Sequence, residues 1–358
     1  NLWIEKGVKG FRLDVINLIS KPELFENDDE GDGRRFYTDG HKIHEYLKEL
    51  NENSFGKYED IITVGEMSST SIENCIKYSN EKEKELSMTF NFHHLKVDYK
   101  DGDKWSEMDF DFMKLKELFN SWQTEMDNGG GWNALFWCNH DQPRIVSRFG
   151  NDKEFHRESA TMLATAIHMM KGTPYIYQGE EIGMTNAYFE SIDKYRDVES
   201  LNYYDILTKE KPQNEVLGVL QKKSRDNSRT PMQWDSSKNA GFSTGTPWLG
   251  VCKKYKDINA EKALEDKNSV FYHYKNLVAL RKEYEIIQNG SFEIVDMANE
   301  SLYVYRRKYK NQELLVICNF YGKEITCDID LEGYTLLNSN YSLTDKNIRP
   351  YEARVYIR

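Results

Sequence analysis

The stretch Val-Lys-Gly-Phe-Arg-Leu-Asp (residues 8–14) decides the fold class of this 358-residue chain. It is a short run of β-prone residues that ends on an acid. The same arrangement recurs at Ile-Ile-Thr-Val-Gly-Glu (61–66) and at Ala-Leu-Phe-Trp-Cys-Asn-His-Asp (134–141). Each acid is therefore expected where a buried strand emerges into a loop. Parallel strands bring such loops together at their carboxyl ends, so we expect the three acids to meet there.

The sequence around these runs predicts alternating strands and helices. Two further apolar runs, at 87–92 and 174–177, are followed by polar loops and then by helical patterns, which is typical of βα units with parallel strands. We predict helices over 39–51, 112–126, 156–171 and 269–284. The sequence thus provides five βα units of an α/β fold.

The pattern of apolar and polar residues changes after Asn289-Gly290. Short alternating runs follow at 301–308, 313–319 and 353–357, which predict a small antiparallel β domain. We therefore predict two domains, a partial catalytic barrel over residues 1–288 and a β domain over residues 289–358.

Charge and composition argue against some classes of binding partner. The net charge of −11 argues against nucleic acid and membrane surfaces, which favour basic proteins, but it leaves an anionic small substrate possible. No run approaches the roughly 18–20 apolar residues that span a bilayer. The five cysteines are odd in number and have no metal-ligand spacing, so free thiols in a reducing, cytoplasmic compartment are favoured and no metal site is expected.

Three acids at strand ends suit the cleavage of a glycosidic bond with retention. That reaction needs one carboxylate as nucleophile and one carboxylic acid as proton donor. Arg12 and Asp14 should point the same way on a strand, so the guanidinium would keep Asp14 ionised. Desolvation at a strand end would keep Glu66 protonated. Asp141, beside His140, would stabilise a cationic transition state. Taken singly, each acid could instead be only the N-cap of the next helix.

The motifs resemble signature regions of the alpha-amylase superfamily of glycoside hydrolases, and specifically its oligo-1,6-glucosidase branch, over essentially the whole chain. They are Gly-Phe-Arg-Leu-Asp-Val-Ile-Asn (10–17), Gly-Glu (65–66), Asn-His-Asp (139–141), Gln-Gly-Glu-Glu-Ile-Gly-Met (178–184) and Ser-Arg-Asp-Asn-Ser-Arg-Thr-Pro (224–231).

The resemblance implies a (β/α)8 TIM barrel, of which this chain would supply strands four to eight, followed by a small antiparallel β-sandwich domain. It implies Asp14 as nucleophile, Glu66 as acid/base and Asp141 as transition-state stabiliser. Arg12 and His140 would bind the terminal glucose, and no cofactor is implied.

The segment Phe-Asn-Phe-His-His-Leu-Lys-Val-Asp-Tyr (90–99) resembles members of this branch that hydrolyse trehalose 6-phosphate to glucose and glucose 6-phosphate. Val15 matches members that favour α-1,6 or α,α-1,1 bonds. His94 and Lys96 are the candidate phosphate ligands, because phosphate prefers paired cationic donors. In the other interpretation His94 is structural and Lys96 is a solvated loop residue.

Arg225, in the long loop after the last barrel strand, would either bind a sugar hydroxyl or an active-site acid, or fasten its loop to Asp226 or another neighbouring acid. The alternative substrate class is an isomaltose-type sugar cleaved by an oligo-1,6-glucosidase.

A different functional class is a non-catalytic relative that only binds partners. Such relatives lose the acids, whereas this chain keeps Asp14, Glu66 and Asp141.

One family feature is absent from the sequence. The first signature region, an Asp-x-x-x-x-Asn-His stretch, and the first three barrel strands are not found. The chain is therefore expected to be a segment with open sheet edges, with little or no activity in isolation.

Overall fold

The first part of the protein alternates parallel strands with helices. The computed structural model describes residues 1–342 and 346–358. The strands of this part are β1 (Gly10–Leu13), β2 (Ile62–Glu66), β3 (Met88–Phe90), β4 (Ala134–Leu135) and β5 (Thr173–Pro174). The helices are α1 (Leu2–Glu5), α2 (Ile43–Asn53), α3 (Ile72–Ser79), α4 (Phe112–Gly129), α5 (Ile145–Arg148), α6 (His156–His168), α7 (Val198–Leu207), α8 (Gln213–Lys223), α9 (Asp226–Arg229), α10 (Ala260–Glu265), α11 (Val270–Glu283) and α12 (Glu285–Asn289).

The five strands lie side by side in chain order. Strand β1 pairs with β2, and β2 with β3, both in parallel. An isolated parallel bridge between Thr89 of β3 and Asn133, the residue before β4, places β4 beside β3. Strand β4 pairs in parallel with β5. All five carboxyl ends therefore point to one end of an open arc. Among the described residues, β1 and β5 each pair on one side only.

Several predicted elements differ in their limits. The helix predicted over 156–171 ends at His168, the strand predicted over 87–92 spans Met88–Phe90, and the strand predicted over 174–177 is observed as Thr173–Pro174. Helix α2 begins at Ile43 rather than near residue 39, because Asp39 adopts a left-handed backbone conformation with φ of 49° that a helix cannot include. Strand β4 ends at Leu135, before the predicted Cys138. The carbonyl of Phe136 accepts a hydrogen bond from the His94 ring instead of continuing the ladder.

The C-terminal part is an antiparallel β structure, as predicted. Its strands are β6 (Ser291–Val295), β7 (Leu302–Tyr309), β8 (Gln312–Asn319), β9 (Ile325–Thr326), β10 (Thr335–Ser339), β11 (Asn347–Ile348) and β12 (Ala353–Ile357). Five of them form a sheet in the order β10-β12-β8-β7-β6, and β9 pairs separately with β11.

The two faces of this sheet contact different parts of the molecule. Tyr303, Tyr305 and Val316 belong to the main core, which also contains residues of α4, α6 and α11. Their neighbours along the strands, such as Val304 and Ile317, pack instead on the β9–β11 pair. This alternation is the period of two expected of a strand. One continuous core thus joins the helices to the sheet.

All five cysteines are buried and unpaired, which agrees with the expectation of free thiols. Within residues 1–342 and 346–358, no helix has both the length and the apolarity that crossing a membrane requires.

A buried lysine connects helix α4 to the C-terminal sheet. Lys116 is almost fully buried, and its ammonium group donates hydrogen bonds to the carbonyls of Asp296 (3.1 Å), Asn299 (2.6 Å) and Leu302 (3.2 Å). Burial lowers the pKa of Lys116. Three acceptors compensate the desolvated charge, so the lysine stabilises the turn that leads into β7.

Replacing this lysine should destabilise the fold. Lys116→Met leaves three carbonyl groups without their charged donor, and we expect a loss of about 2 kcal/mol in the free energy of unfolding. Chemical denaturation of both proteins measures the difference. The matched control is Lys114→Met on the same helix, where the lysine makes only an exposed pair with Glu117. That change should stay within about 0.5 kcal/mol. Equal effects of the two substitutions would contradict the proposed role.

Candidate active site

Arg12 brings two acids from different strands together. Residues 12 and 14 lie on the same face of the extended chain at the end of β1, and Glu66 ends β2, the neighbouring strand. One end of the Arg12 guanidinium donates a hydrogen bond to Asp14 Oδ1, and the other end donates to Glu66 Oε2. The backbone N–H of Val15 also points to Glu66 Oε2, at 3.4 Å. Acids separated by 52 positions in the sequence therefore share one guanidinium.

The two acids have opposite electrostatic environments. The hydrogen bond from Arg12 lowers the pKa of Asp14, which is exposed. Burial raises the pKa of Glu66, whose surface is only 4% accessible. A hydrogen bond between the two carboxyl groups acts in the same directions, lowering the pKa of Asp14 and raising that of Glu66. The pair therefore combines an ionised carboxylate with an adjacent acid that tends to keep its proton.

Asp141 lies in the loop after β4 and is held by basic side chains. Arg229 donates to Asp141 Oδ1 at 2.7 Å, and Arg225 reaches the same oxygen at 3.3 Å. His140 Nε2 is 3.3 Å from Asp141 Oδ2, and the His140 carbonyl accepts a hydrogen bond from Arg229 Nε at 2.7 Å. The side chain of Asn139 accepts the backbone N–H of Asp141. These contacts fix both the backbone and the carboxylate of Asp141.

Arg225 contacts an active-site acid, as one of its two interpretations predicted. It also fastens its loop, as the other interpretation predicted, through the neighbouring acids Asp197 at 2.7 Å and Glu199 at 3.2 Å, although not through Asp226. Asp226 accepts the backbone N–H groups of Arg196 and Asp197 instead.

Sequence reasoning missed two residues of this site, Arg229 and Asp197. Asp197 is buried and faces both arginines. A signal for Arg229 was present, because it follows Arg225 by four residues, the spacing at which helical side chains share a face. No local pattern indicated Asp197, which lies 28 residues before Arg225.

A cavity of about 300 Å³ opens beside these acids. It is lined by Arg12 and His140 and by aromatic side chains of three strand ends, among them Phe90, Phe136 and Tyr177. Aromatic faces next to polar groups suit a sugar ring, which presents apolar C–H faces and a rim of hydroxyl groups.

The structure does not support His94 as a phosphate ligand. Its Nε2 hydrogen-bonds to the carbonyl of Phe136 at 2.8 Å, and its ring packs against Phe119, Phe136 and Trp137. Burial lowers the pKa of His94 to about 4, so the ring is neutral at pH 7. His94 therefore has the surroundings of a structural histidine, the other interpretation of the sequence.

Lys96 is exposed and lies near a second cation. Its side chain makes no ion pair within the part of the chain that the structure describes, and partial desolvation lowers its pKa. Repulsion from Arg34 lowers the pKa of Lys96 further. Arg34 already pairs with Asp32 at 2.8 Å, so Lys96 is the cation of this pair without an ion-pair partner among the described residues.

Comparison with known proteins assigns the family. The model of the Alpha-amylase family, described as the alpha-amylase catalytic domain, matches residues 1–290. The chain belongs to the alpha-amylase family. This confirms the resemblance drawn from the sequence motifs.

Relatives within the alpha-amylase family include two trehalose-6-phosphate hydrolases. That of Bacillus subtilis is 55% identical, with 99% of this chain and 65% of the relative aligned, and that of Escherichia coli is 52% identical, with 98% and 65% aligned. An oligo-1,6-glucosidase of Bacillus cereus is 48% identical, with 99% and 66% aligned. The chain thus spans slightly less than two thirds of the length of the two hydrolases.

Solved structures of the family have the same fold. Trehalose-6-phosphate hydrolase of Bacillus licheniformis superposes with a TM-score of 0.95 at 57% identity, covering 99% of this chain and 66% of that one. Isomaltulose synthase of Erwinia rhapontici superposes with a TM-score of 0.91 at 34% identity, with the same coverage.

The position of Arg12 predicts a specific change in pH dependence. Its charge lowers the pKa of both Asp14 and Glu66. Under the roles expected from the sequence, Asp14 works ionised and Glu66 protonated, so activity should be lost below the pKa of Asp14 and above the pKa of Glu66. Arg12→Met should therefore move both limbs of the kcat/KM profile to higher pH and lower its maximum roughly 10- to 100-fold.

Arg229→Met is the matched control for this measurement. It removes a guanidinium from the same site, but Arg229 contacts Asp141 and neither of the paired acids. The rate should fall while the limbs of the pH profile stay in place. Unmoved limbs in Arg12→Met would refute the assigned effect of Arg12.

Proposed function

We propose that this protein is a retaining glycoside hydrolase in which Asp14 is the nucleophile and Glu66 the acid/base. The observation that carries the proposal is the shared Arg12 guanidinium, which holds an ionised Asp14 beside a buried Glu66 of raised pKa. Retaining hydrolysis needs such a pair on one sugar carbon.

In the first step Asp14 attacks the anomeric carbon while Glu66 gives its proton to the leaving oxygen. A glycosyl ester on Asp14 results, and Glu66 is left as a carboxylate. In the second step Glu66 takes a proton from water, whose oxygen attacks the same carbon and releases Asp14. Arg12 compensates the negative charge of Asp14 before the attack and again when Asp14 is released as a carboxylate.

Asp141 would act on the transition state. The oxocarbenium-like sugar is positively charged, and a carboxylate held next to it by fixed contacts stabilises it without reorganisation. Arg225 and Arg229 hold Asp141 Oδ1, so Oδ2, near His140, is the oxygen available to ring hydroxyl groups.

We propose trehalose 6-phosphate as the substrate, with glucose and glucose 6-phosphate as products. The names of the relatives at 52–55% identity support this choice. The chemical support is Lys96, an exposed cation that makes no ion pair within the described residues and can donate to a phosphate oxygen, whereas Arg34 nearby is already paired with Asp32. His94, being neutral, has no part in this site.

The open arc of five parallel strands has the arrangement that strands four to eight of a (β/α)8 barrel would have. The carboxyl ends of such strands carry the active site of barrel enzymes. The positions of Asp14, Glu66 and Asp141 at that end support this part of the proposal.

An oligo-1,6-glucosidase acting on isomaltose-type sugars is the second candidate. It is favoured by relatives of that name at 46–48% identity and does not require a phosphate site. Parallel assays of trehalose 6-phosphate, trehalose and isomaltose with the native protein separate the two candidates.

The mechanism predicts the stereochemistry of the product and the effect of two substitutions. Nuclear magnetic resonance during early turnover should show glucose released first as the α anomer. Asp14→Asn and Glu66→Gln keep the size of each side chain but remove the nucleophile and the proton donor, and each should lower kcat by about 10⁴-fold or more. Initial release of the β anomer would contradict retention. Near-normal rates in either variant would exclude its assigned role.

The phosphate site predicts a selective loss in a third variant. Lys96→Ala should lower kcat/KM for trehalose 6-phosphate about 10- to 100-fold, because one charge-assisted hydrogen bond is lost, and should leave the turnover of plain trehalose within twofold. Lys100→Ala, at an exposed lysine of the same loop, is the control and should change neither. Parallel losses on both sugars would show that Lys96 does not bind phosphate.

A further inference from the structure

A buried asparagine connects the segments that follow the two paired acids. Asn17 is fully buried and lies three residues after Asp14. Its Oδ1 accepts the backbone N–H of Ser68 at 2.9 Å, and its Nδ2 donates to the Ser68 carbonyl at 2.8 Å. Ser68 in turn lies two residues after Glu66. One amide side chain therefore forms two hydrogen bonds with the backbone just beyond the acid on the neighbouring strand.

Asp39 extends this connection. Its Oδ1 accepts hydrogen bonds from Asn17 Nδ2 at 3.0 Å and Tyr78 OH at 2.6 Å, and its Oδ2 accepts from Thr70 Oγ1 at 3.0 Å and Asn74 Nδ2 at 2.9 Å. The backbone N–H of Asp39 donates to the Asn17 carbonyl at 3.0 Å. Three of the four side-chain donors belong to the segment after Glu66. Both carboxylate oxygens thus bind neutral donors, and no lysine or arginine of the described residues pairs with them.

The backbone around this network is strained on both sides. Val15 follows Asp14 directly and has φ of 36°, which is unusual for a β-branched residue. Ser69, three residues after Glu66, has φ of 53°, and Asp39 itself has φ of 49°. Such conformations are energetically unfavourable for residues other than glycine and persist only where surrounding contacts impose them. The hydrogen bonds of Asn17 and Asp39 are contacts of that kind.

We propose that Asn17 and Asp39 are positioning residues that set the separation between the Asp14 and Glu66 carboxyl groups. Neither residue contacts those carboxyl groups, so both act through the backbone of the segments that follow them. The inference rests on the proposed function, because it assigns a catalytic use to that separation. Small displacements of reacting groups lower rates steeply, by about 100-fold for 1 Å.

The test compares two buried asparagines in the native protein. Asn17→Ala removes the connection between the two segments. Asn319→Ala is the matched control, since Asn319 is also fully buried, donates to the carbonyls of Lys323 and Arg349 and accepts the N–H of Tyr321, far along the chain in the C-terminal sheet. Both changes should lower the free energy of unfolding. Only Asn17→Ala should lower kcat, by about 10- to 100-fold, with KM within threefold.

A milder variant keeps the inference testable if Asn17→Ala fails to fold. Thr70→Val removes one donor to Asp39 and nearly preserves the shape of the side chain. It should lower kcat in the same direction by a smaller factor. If Asn17→Ala and Thr70→Val both keep kcat within twofold while stability falls, the residues are structural only and the inference is wrong.

The pH dependence gives a readout that lost stability would not change. Contact with Asp14 contributes to the raised pKa of Glu66, and Arg12 lowers it. If the carboxyl groups separate in Asn17→Ala, the basic limb of the kcat/KM profile should move to lower pH. The limb should not move in Asn319→Ala. An unmoved limb in Asn17→Ala would overturn the inference even if kcat fell.

A titration without turnover separates this inference from the proposed function. The difference in proton uptake between the protein and its Glu66→Gln variant reports the pKa of Glu66, and it can be measured in the parent and Asn17→Ala backgrounds. Because the segment alone is expected to have little or no activity, the turnover assay uses the protein with a complete barrel, and absence of turnover of trehalose 6-phosphate, trehalose and isomaltose there would refute the proposed function. A lowered Glu66 pKa in the Asn17→Ala background would still support the effect on the acid pair, and an unchanged pKa would refute it.

Discussion

The site depends on the pairing register of β1 and β2. Arg12 lies opposite Val64, and Leu13 lies opposite Gly65, which places Asp14 one position further on, beside Glu66. A shift of one residue would turn Arg12 to the other face of the sheet and separate both acids from their cation. Gly65 leaves room for its neighbours, because a Cβ at that position would lie 2.6 Å from the terminal side-chain atoms of Leu86 and Met67. The meeting of the paired acids thus follows from the register of two adjacent strands.

Local charge at the site is arranged independently of the net charge of −11. Asp197 holds Arg225 and Arg229 from one side, and both arginines reach Asp141 from that position. Lys104 contacts Glu199 at 2.6 Å, and Glu199 in turn pairs with Arg225. Acids therefore alternate with cations across the opening, and an anionic substrate would not meet an uncompensated negative surface. Local pairing of this kind allows an acidic protein to place cations and acids side by side at one opening.

The sequence was sufficient for features set by local pattern and insufficient for those set by distant contacts. The strand runs and their terminal acids predicted the parallel strands and the meeting of Asp14 with Glu66, because carboxyl ends of parallel strands converge whatever the length of chain between them. His94 was indistinguishable from a cationic ligand, since its charge depends on the carbonyl of Phe136 and on burial among aromatic rings. The role proposed for Asn17 has no periodicity to reveal it, because its partners lie 22 and 51 positions away.

The C-terminal sheet supports the strand that carries Asp141 through helix α6. The carbonyl groups at the end of α6 are negative in partial charge and are contacted by two buried guanidinium groups. Arg281 of α11 donates to the carbonyls of His168 and Met170, and Arg307 of β7 donates to that of Met169 at 2.6 Å.

At its middle, the same helix accepts hydrogen bonds from both sides. Trp137, four residues before Asp141, donates from its indole N–H to the carbonyl of Leu163 at 2.7 Å, and Tyr305 of the sheet donates to that of Ala166 at 2.8 Å. Because α6 is held at its end by two cations and along its length by two aromatic side chains, the sheet and the Asp141 loop form one packed unit. The C-terminal sheet therefore limits movement of the Asp141 carboxylate, although none of its described residues lines the pocket.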